Sequence, residues 1–188
     1  MRNEGVEKSE LFRSGGIVVG AIGLVAAAVV LVYSTAVVGF DPLTWSATLL
    51  LAVIVWSVLI RPAVVLHVEE LEVRNVSHTL RIPYQRIREV EINQVTRVHT
   101  PERTYVAGGF GRSRGTIRKD ARVAPDAKLG QHSLGHLVEE RINRRATEAK
   151  RTAVEGAEVA PVRRTWAAAE LGAGAVLVVA TLLASVLR

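Results

Sequence analysis

The sequence predicts an α+β membrane protein: a transmembrane helical hairpin, a small antiparallel β domain with a C-terminal helix, then a third transmembrane helix. Three observations carry this expectation. Ser14 to Phe40 and Leu43 to Ile60 are free of charge, and only the link Gly39-Phe40-Asp41-Pro42 interrupts them. Between Arg61 and Thr165 the pattern turns charged and alternates with the period of a strand. A third apolar run then extends from Trp166 to Leu187. The expected boundaries are an N-terminal tail over 1–14, the hairpin over 15–60, the soluble domain over 61–153, a linker over 154–165 and the third span over 166–188.

The first run covers roughly 35 Å as a helix, more than the roughly 30 Å of hydrocarbon it has to cross. A helix suits lipid because it satisfies its own backbone hydrogen bonds within one segment. The preceding residues alternate in sign, with Arg2, Lys8 and Arg13 against Glu4, Glu7 and Glu10. A cleaved signal has a basic start and an apolar core of about 7–15 residues, so this run reads as an uncleaved span. Gly16 and Gly20 stand four apart, as do Gly23 and Ala27, a spacing that lets helix backbones approach closely and that equally reflects how common small residues are in membrane helices. In the link, Asp41 is placed to cap the second helix and Pro42 suits its first position. Tyr33, Phe40 and Trp45 lie near this turn and Trp56 toward the opposite interface, as aromatic belts do.

Arg13, Arg61 and the pair Arg163/Arg164 stand at three span ends on one side, and the hairpin link carries no Lys or Arg. By the Lys/Arg bias, the N-terminus and the middle domain face the cytoplasm and the C-terminus faces out, with Arg188 alone on the far side. Glu170 lies one turn past Trp166, close enough to the interface to reach water or Arg163/Arg164.

With 188 residues, the chain has room for a small membrane bundle and one modest domain. It has no cysteine, which removes disulfides, thiolate metal sites and cysteine nucleophiles. A formal charge of +6 and a pI near 10.3 point to anionic surroundings. For a membrane chain, anionic lipid and the positive-inside bias account for that charge. Nucleic acid is not expected as a partner, since the basic residues are scattered and no aromatic series accompanies them.

In the middle domain, Ala63 to Val68 is an apolar, β-branched run. Leu71, Val73, Leu80, Ile82 and Tyr84 alternate with Glu72, Arg74, Thr79 and Arg81, which is strand periodicity. Glu69-Glu70 and Ser77-His78 serve as tight links, and a further strand is expected over about Arg86 to Val95. Pro83 cannot donate to a ladder, so it marks a strand end or edge. Leu71-Glu72-Val73-Arg74-Asn75 with His78-Thr79-Leu80-Arg81, and Ile82-Pro83-Tyr84-Gln85-Arg86-Ile87-Arg88-Glu89-Val90, together with the order of parts, resemble the bacterial pleckstrin-homology (PH) domain membrane proteins of the actinobacterial type. The resemblance implies a cytoplasmic PH-like domain anchored in the bacterial plasma membrane, with Arg74, Asn75, Ile82, Pro83, Tyr84, Ile87 and Val90 as the motif's structural residues. It implies a binding or scaffold role toward protein or lipid and names no ligand.

Beyond Thr96 the modest strand candidates are Val98, Tyr105-Val106 and Thr116-Ile117, while Gly108 to Gly111 and Ala121 to Gln131 read as open loop. Either the second sheet is short and irregular or part of 97–131 is disordered. A helix follows, with Ser133 as N-cap and Leu134, Leu137, Val138, Ile142, Ala146, Ala149 and Ala153 as its apolar stripe. Glu140, Arg144 and Glu148 form an exposed charge ladder, and Glu155 to Val162 reads as the linker.

The residues expected to meet an anion are Arg112, Arg114, Arg118, Lys119 and Arg122, in and after the glycine-rich stretch Gly108 to Gly115. Glycine allows close backbone approach, and each basic side chain contributes about 1 kcal/mol against anionic lipid. The plainer reading is a solvated juxtamembrane loop that enforces topology. Neither a phosphate-binding Gly-Lys-Ser/Thr nor a βαβ unit follows, which sets nucleotide folds aside. His132 and His136 are four apart but lack the His-Glu-x-x-His order of a zinc helix, so no metal or other cofactor is expected. Ser113, flanked by arginines, is a candidate for phosphorylation. No acid, base and nucleophile converge, so no catalytic residues and no enzyme activity are expected. The partners expected are the lipid bilayer, anionic lipid headgroups and a membrane or cytoplasmic protein. A structural, oligomerising membrane-assembly role, with a second copy as partner through the small-residue faces, is the alternative.

Overall fold

A computed structural model describes residues 9–13, 15–123, 132–153 and 159–187, and the chain divides into two compact units. One unit comprises Gly15–Arg61, Val76–His78 and Trp166–Arg188. Its helices are α1 (Gly16–Val37), α2 (Pro42–Val55), which runs on through a π-helical turn at Trp56–Ile60, and, later in the chain, α5 (Ala168–Val186). All three are long and apolar enough to cross a membrane, the mark of a membrane protein. At 22 residues α1 spans about 33 Å. The turn before α2 is made by Gly39 at φ +86° and by Asp41, whose Oδ2 accepts the Thr44 amide at 2.9 Å. The Phe40 and Trp45 rings meet at 5.6 Å, and Trp45 Nε1 donates to Thr35 Oγ1 at 3.1 Å.

The small residues of α1 are taken up inside the hairpin. A Cβ added at Gly20 would stand 2.7 Å from Ile60 Cγ1, and one at Gly23 would stand 3.3 Å from Val55 Cγ1. Glu170, in the first turn of α5, pairs with Arg61 at the end of the second helix, Nε to Oε1 at 2.9 Å. An ion pair at the ends of two apolar helices lowers the cost of keeping either charge out of water.

The other unit comprises Met1–Ser14, Pro62–Asn75 and Thr79–Thr165. It holds two antiparallel sheets. The first is built from β1 (Glu10–Phe12), β2 (Ala63–Leu66), β3 (Glu70–Arg74), β4 (His78–Pro83) and β8 (Arg163–Trp166), in the order β1-β2-β3-β4-β8. The second is β5 (Glu89–Ile92), β6 (Thr96–His99) and β7 (Thr104–Ala107), in chain order. Two helices complete it, α3 (Arg114–Asp120) and α4 (Leu134–Arg151). Alternation fixes which face is inside: Val73 pairs with Leu80 and Leu71 with Ile82, and all four are buried. Val90, Ile92 and Val98 of the second sheet join them, and Val138, Ile142 and Ala146 of α4 cover the core.

Several expectations are corrected. The N-terminal tail contains β1, whose Phe12 reaches the core and meets Phe110 at 5.9 Å; residues 1–8 and 14 lie outside the described residues. The expected linker ends in β8, and Trp166 closes that strand, so the third helix begins at Ala168. Residues 154–158 of that linker, 124–131 of the expected loop, and Arg188 are also outside the described residues. Tyr84–Arg86 is a 3-10 turn, and β5 is shorter than the strand expected over Arg86 to Val95. Thr116-Ile117 is helical, because Ser113 caps a helix there: its Oγ accepts the Thr116 amide at 3.1 Å. Leu134 and Ala153, expected on the apolar stripe of α4, are exposed. Gly108 to Gly111 has no regular structure but is not open, since Gly109 and Phe110 are buried.

At Gly109 an added Cβ would collide with the backbone of Pro62 and Ala63, which cannot swing aside as a side-chain tip can. Gly109→Ala is therefore expected to lower the stability of the β unit by about 2 kcal/mol. Thermal unfolding followed by Trp and Tyr fluorescence measures this; a variant as stable as wild type would contradict the packing described.

Candidate functional site

β5 is an edge strand, and in an antiparallel ladder alternate residues turn their N–H and C=O away from the neighbour. On β5 those residues are Val90 and Ile92, and side chains meet all four groups. Asn143 of α4 accepts from the Val90 amide at 2.8 Å and donates to its carbonyl at 3.0 Å. Glu139, one turn earlier, accepts from the Ile92 amide at 2.8 Å. Arg112 Nε donates to the Ile92 carbonyl. A short edge closed in this way does not pair with another chain.

Arg112 does more than close the edge. Its guanidinium also reaches Glu139 at 2.7 Å and Asp120 at 3.1 Å, and only 10% of its side chain is exposed. Asp120 in turn accepts from the Ser133 amide at 3.0 Å and from the Ser133 hydroxyl, which ties the end of α3 to the cap of α4. Gly135 makes this route passable, because a Cβ there would lie 2.8 Å from Arg112 Cδ. Burial pushes the Asp120 carboxyl up, but the Ser133 hydrogen bonds and the Arg112 charge outweigh it and hold the group below its ordinary value.

The five basic residues expected to act together are thus divided. Arg112 is turned inward, while Arg114, Arg118, Lys119 and Arg122 are exposed, and among the described residues no carboxylate pairs with them. Arg114 and Arg118 stand one turn apart on α3, on the same face. With Asp120 and Glu139 matched to Arg112, the segment presents uncompensated positive charge. Ser113 is exposed and its Oγ is engaged as the α3 cap. The His132 and His136 rings stack at 4.6 Å, and among the described residues no group of three His, Asp or Glu side chains gathers as metal ligands would.

The motif residues run from the end of β3 through β4 and the turn after it to β5. Arg74 ends β3 and donates to Glu72 at 2.6 Å. Asn75 donates to the Val106 carbonyl at 3.0 Å and accepts from the Gly108 amide at 3.3 Å, tying the first sheet to β7. Ile82, Ile87 and Val90 are fully buried, and Pro83 ends β4. Tyr84 is buried too, and its hydroxyl donates to the His67 carbonyl at 3.1 Å. Sequence reasoning used Arg61 only for topology and missed the contacts of Glu139, Asn143 and Asp120. A signal for two of them existed, since Glu139 and Asn143 each follow a stripe residue, Val138 and Ile142.

Glu72 is a second buried carboxylate, 3% exposed. Burial pushes its carboxyl up, yet Arg74, His67 and Arg81 hold it below its ordinary 4.5. For a carboxyl with a depressed folded value, stability is present above the unfolded value and is lost as pH falls through the folded one. The β unit is therefore expected to lose stability progressively below about pH 4.5. Arg112→Ala should cost about 3 kcal/mol at neutral pH, because Asp120 and Glu139 lose their counter-charge. That deficit should narrow below pH 3.8, the ordinary value for Asp120, where protonation relieves the orphaned carboxylate. Denaturant unfolding across pH tests both statements, and a deficit that widens on acidification would contradict the pairing. No family model, curated protein or solved structure matches this chain.

Proposed function

We propose that the chain is a membrane-anchored, PH-like binding module of the bacterial plasma membrane, whose β unit faces the cytoplasm and rests α3 on anionic lipid. The observation that carries this reading is the exposed set Arg114, Arg118, Lys119 and Arg122, with which no carboxylate pairs among the described residues. The PH-like part is supported by the order of elements: strands β2 to β4, strands β5 to β7, then a helix that covers the core. The cytoplasmic side is supported by arginine at span ends, Arg13, Arg61, Arg163 and Arg164.

The affinity argument is electrostatic. Each basic side chain near an anionic surface contributes about 1 kcal/mol, so four give about 4 kcal/mol before ordering costs. Covalent attachment to the spans makes the contact intramolecular, so a weak interaction is occupied. The assembly role has less support, because Gly20 and Gly23 already pack on Ile60 and Val55 within one hairpin.

The chain contains no cysteine, so a fluorophore on Ala121→Cys reports this surface alone. In nanodiscs carrying nitroxide-headgroup lipid, quenching should be strong with anionic lipid and weak in neutral lipid or high salt. Arg118→Ala combined with Lys119→Ala removes about 2 kcal/mol, which shifts the docking equilibrium about 30-fold. Equal quenching in neutral and anionic discs would refute the reading.

A further inference from the structure

A cleft of about 1150 Å³ opens in the β unit between the turn joining β2 to β3, the end of β4 and the last turns of α4. From the geometry we infer that this cleft takes an extended peptide segment of a partner protein, one that carries both acidic and basic side chains. This goes beyond the membrane-surface reading and rests on other residues.

The first argument is preorganisation. Arg81 is held by Glu72 at 3.3 Å and Glu70 at 3.6 Å, and Arg163 is held by the same Glu70 at 3.2 Å. Arg145 donates to the His67 carbonyl at 3.0 Å and stands 3.6 Å from Glu10. The Tyr84 hydroxyl fixes that same carbonyl. Three lining arginines are thus oriented before any ligand arrives, which lowers the ordering cost of binding. Arg81 makes these ion pairs through Nε and Nη1, and its side chain is still 46% exposed to a ligand acceptor.

The second argument is sign and size. Glu69 and Glu148 also line the cleft, both are exposed, and among the described residues neither has an ion-pair partner. Their carboxylates repel a polyanion such as a phosphorylated headgroup and attract Lys or Arg. A ligand that satisfies arginines and these carboxylates together carries both signs. Small-molecule sites enclose about 300–1,000 Å³, and this open cleft exceeds that range, as a run of several residues requires.

Full-length protein in neutral-lipid nanodiscs, panned against a displayed library of random peptides, tests the inference. The expected result is enrichment of peptides in which acidic and basic residues occur together. Their binding should weaken about tenfold for Glu148→Lys and for Glu69→Lys, and recover when the peptide's matching base is reversed. Arg118→Ala with Lys119→Ala should leave this binding unchanged, which separates it from the α3 surface. No enrichment, or peptides that bind Glu69→Lys and Glu148→Lys as well as wild type, would overturn it. So would purely acidic peptides lost with the α3 substitutions, or self-association that depends on Glu69 and Glu148, which assigns the cleft to a second copy.

Discussion

The β unit depends on how the outer edge of β5 is closed. Val90 and Ile92 send four backbone groups away from β6, and no further strand among the described residues receives them. Each buried group left without a partner costs about 1–3 kcal/mol, so leaving all four unmet would consume most of the stability of a domain this small. Asn143, Glu139 and Arg112 supply the missing donors and acceptors, and Asn143 stands in for one residue of an absent strand by bonding to both groups of Val90. The same contacts seat α4 on the core, so the edge and the helix are fixed by one set of side chains.

This closure also sorts the charges. Arg112 can serve Ile92, Glu139 and Asp120 only from inside, along the gap left by Gly135. Once it is there, the acids near α3 are matched, and the remaining cations have no internal partner among the described residues. Structural and surface roles are thus divided between neighbours in the sequence: Arg112 holds the fold together, and Arg114, Arg118, Lys119 and Arg122 point to solvent. Across the same unit, Glu70 and Glu72 order the arginines of the cleft in a comparable way.

Much of this was legible from residue pattern. Charge-free runs marked the apolar helices, Asp41-Pro42 and Ser133 marked helix starts, and alternation from Leu71 to Ile82 gave a hairpin with its buried face. What stayed hidden depends on long-range partners. β1 and β8 are short and charged, and they become strands only because the edges of β2 and β4 are there to pair with. The helix α3 has a weak apolar pattern, and its Ser113 cap was overshadowed by the glycines before it. In the basic run, nothing local separates Arg112 from Arg114; the distinction comes from Asp120, eight residues on, and Glu139, on another helix. Likewise Glu170 and Arg61 are 109 residues apart, and only the packing of α5 on α2 brings them together.

Amide hydrogen exchange at Val90 and Ile92 tests the edge closure most directly. If side chains of α4 accept these two N–H groups, both amides exchange as slowly as those of the core residues Val73 and Leu80, although β5 is an edge strand. Asn143→Ala should then release Val90 selectively while Val73 stays protected. Rapid exchange of Val90 and Ile92 in the wild-type chain would contradict the closure, and with it the inward role of Arg112.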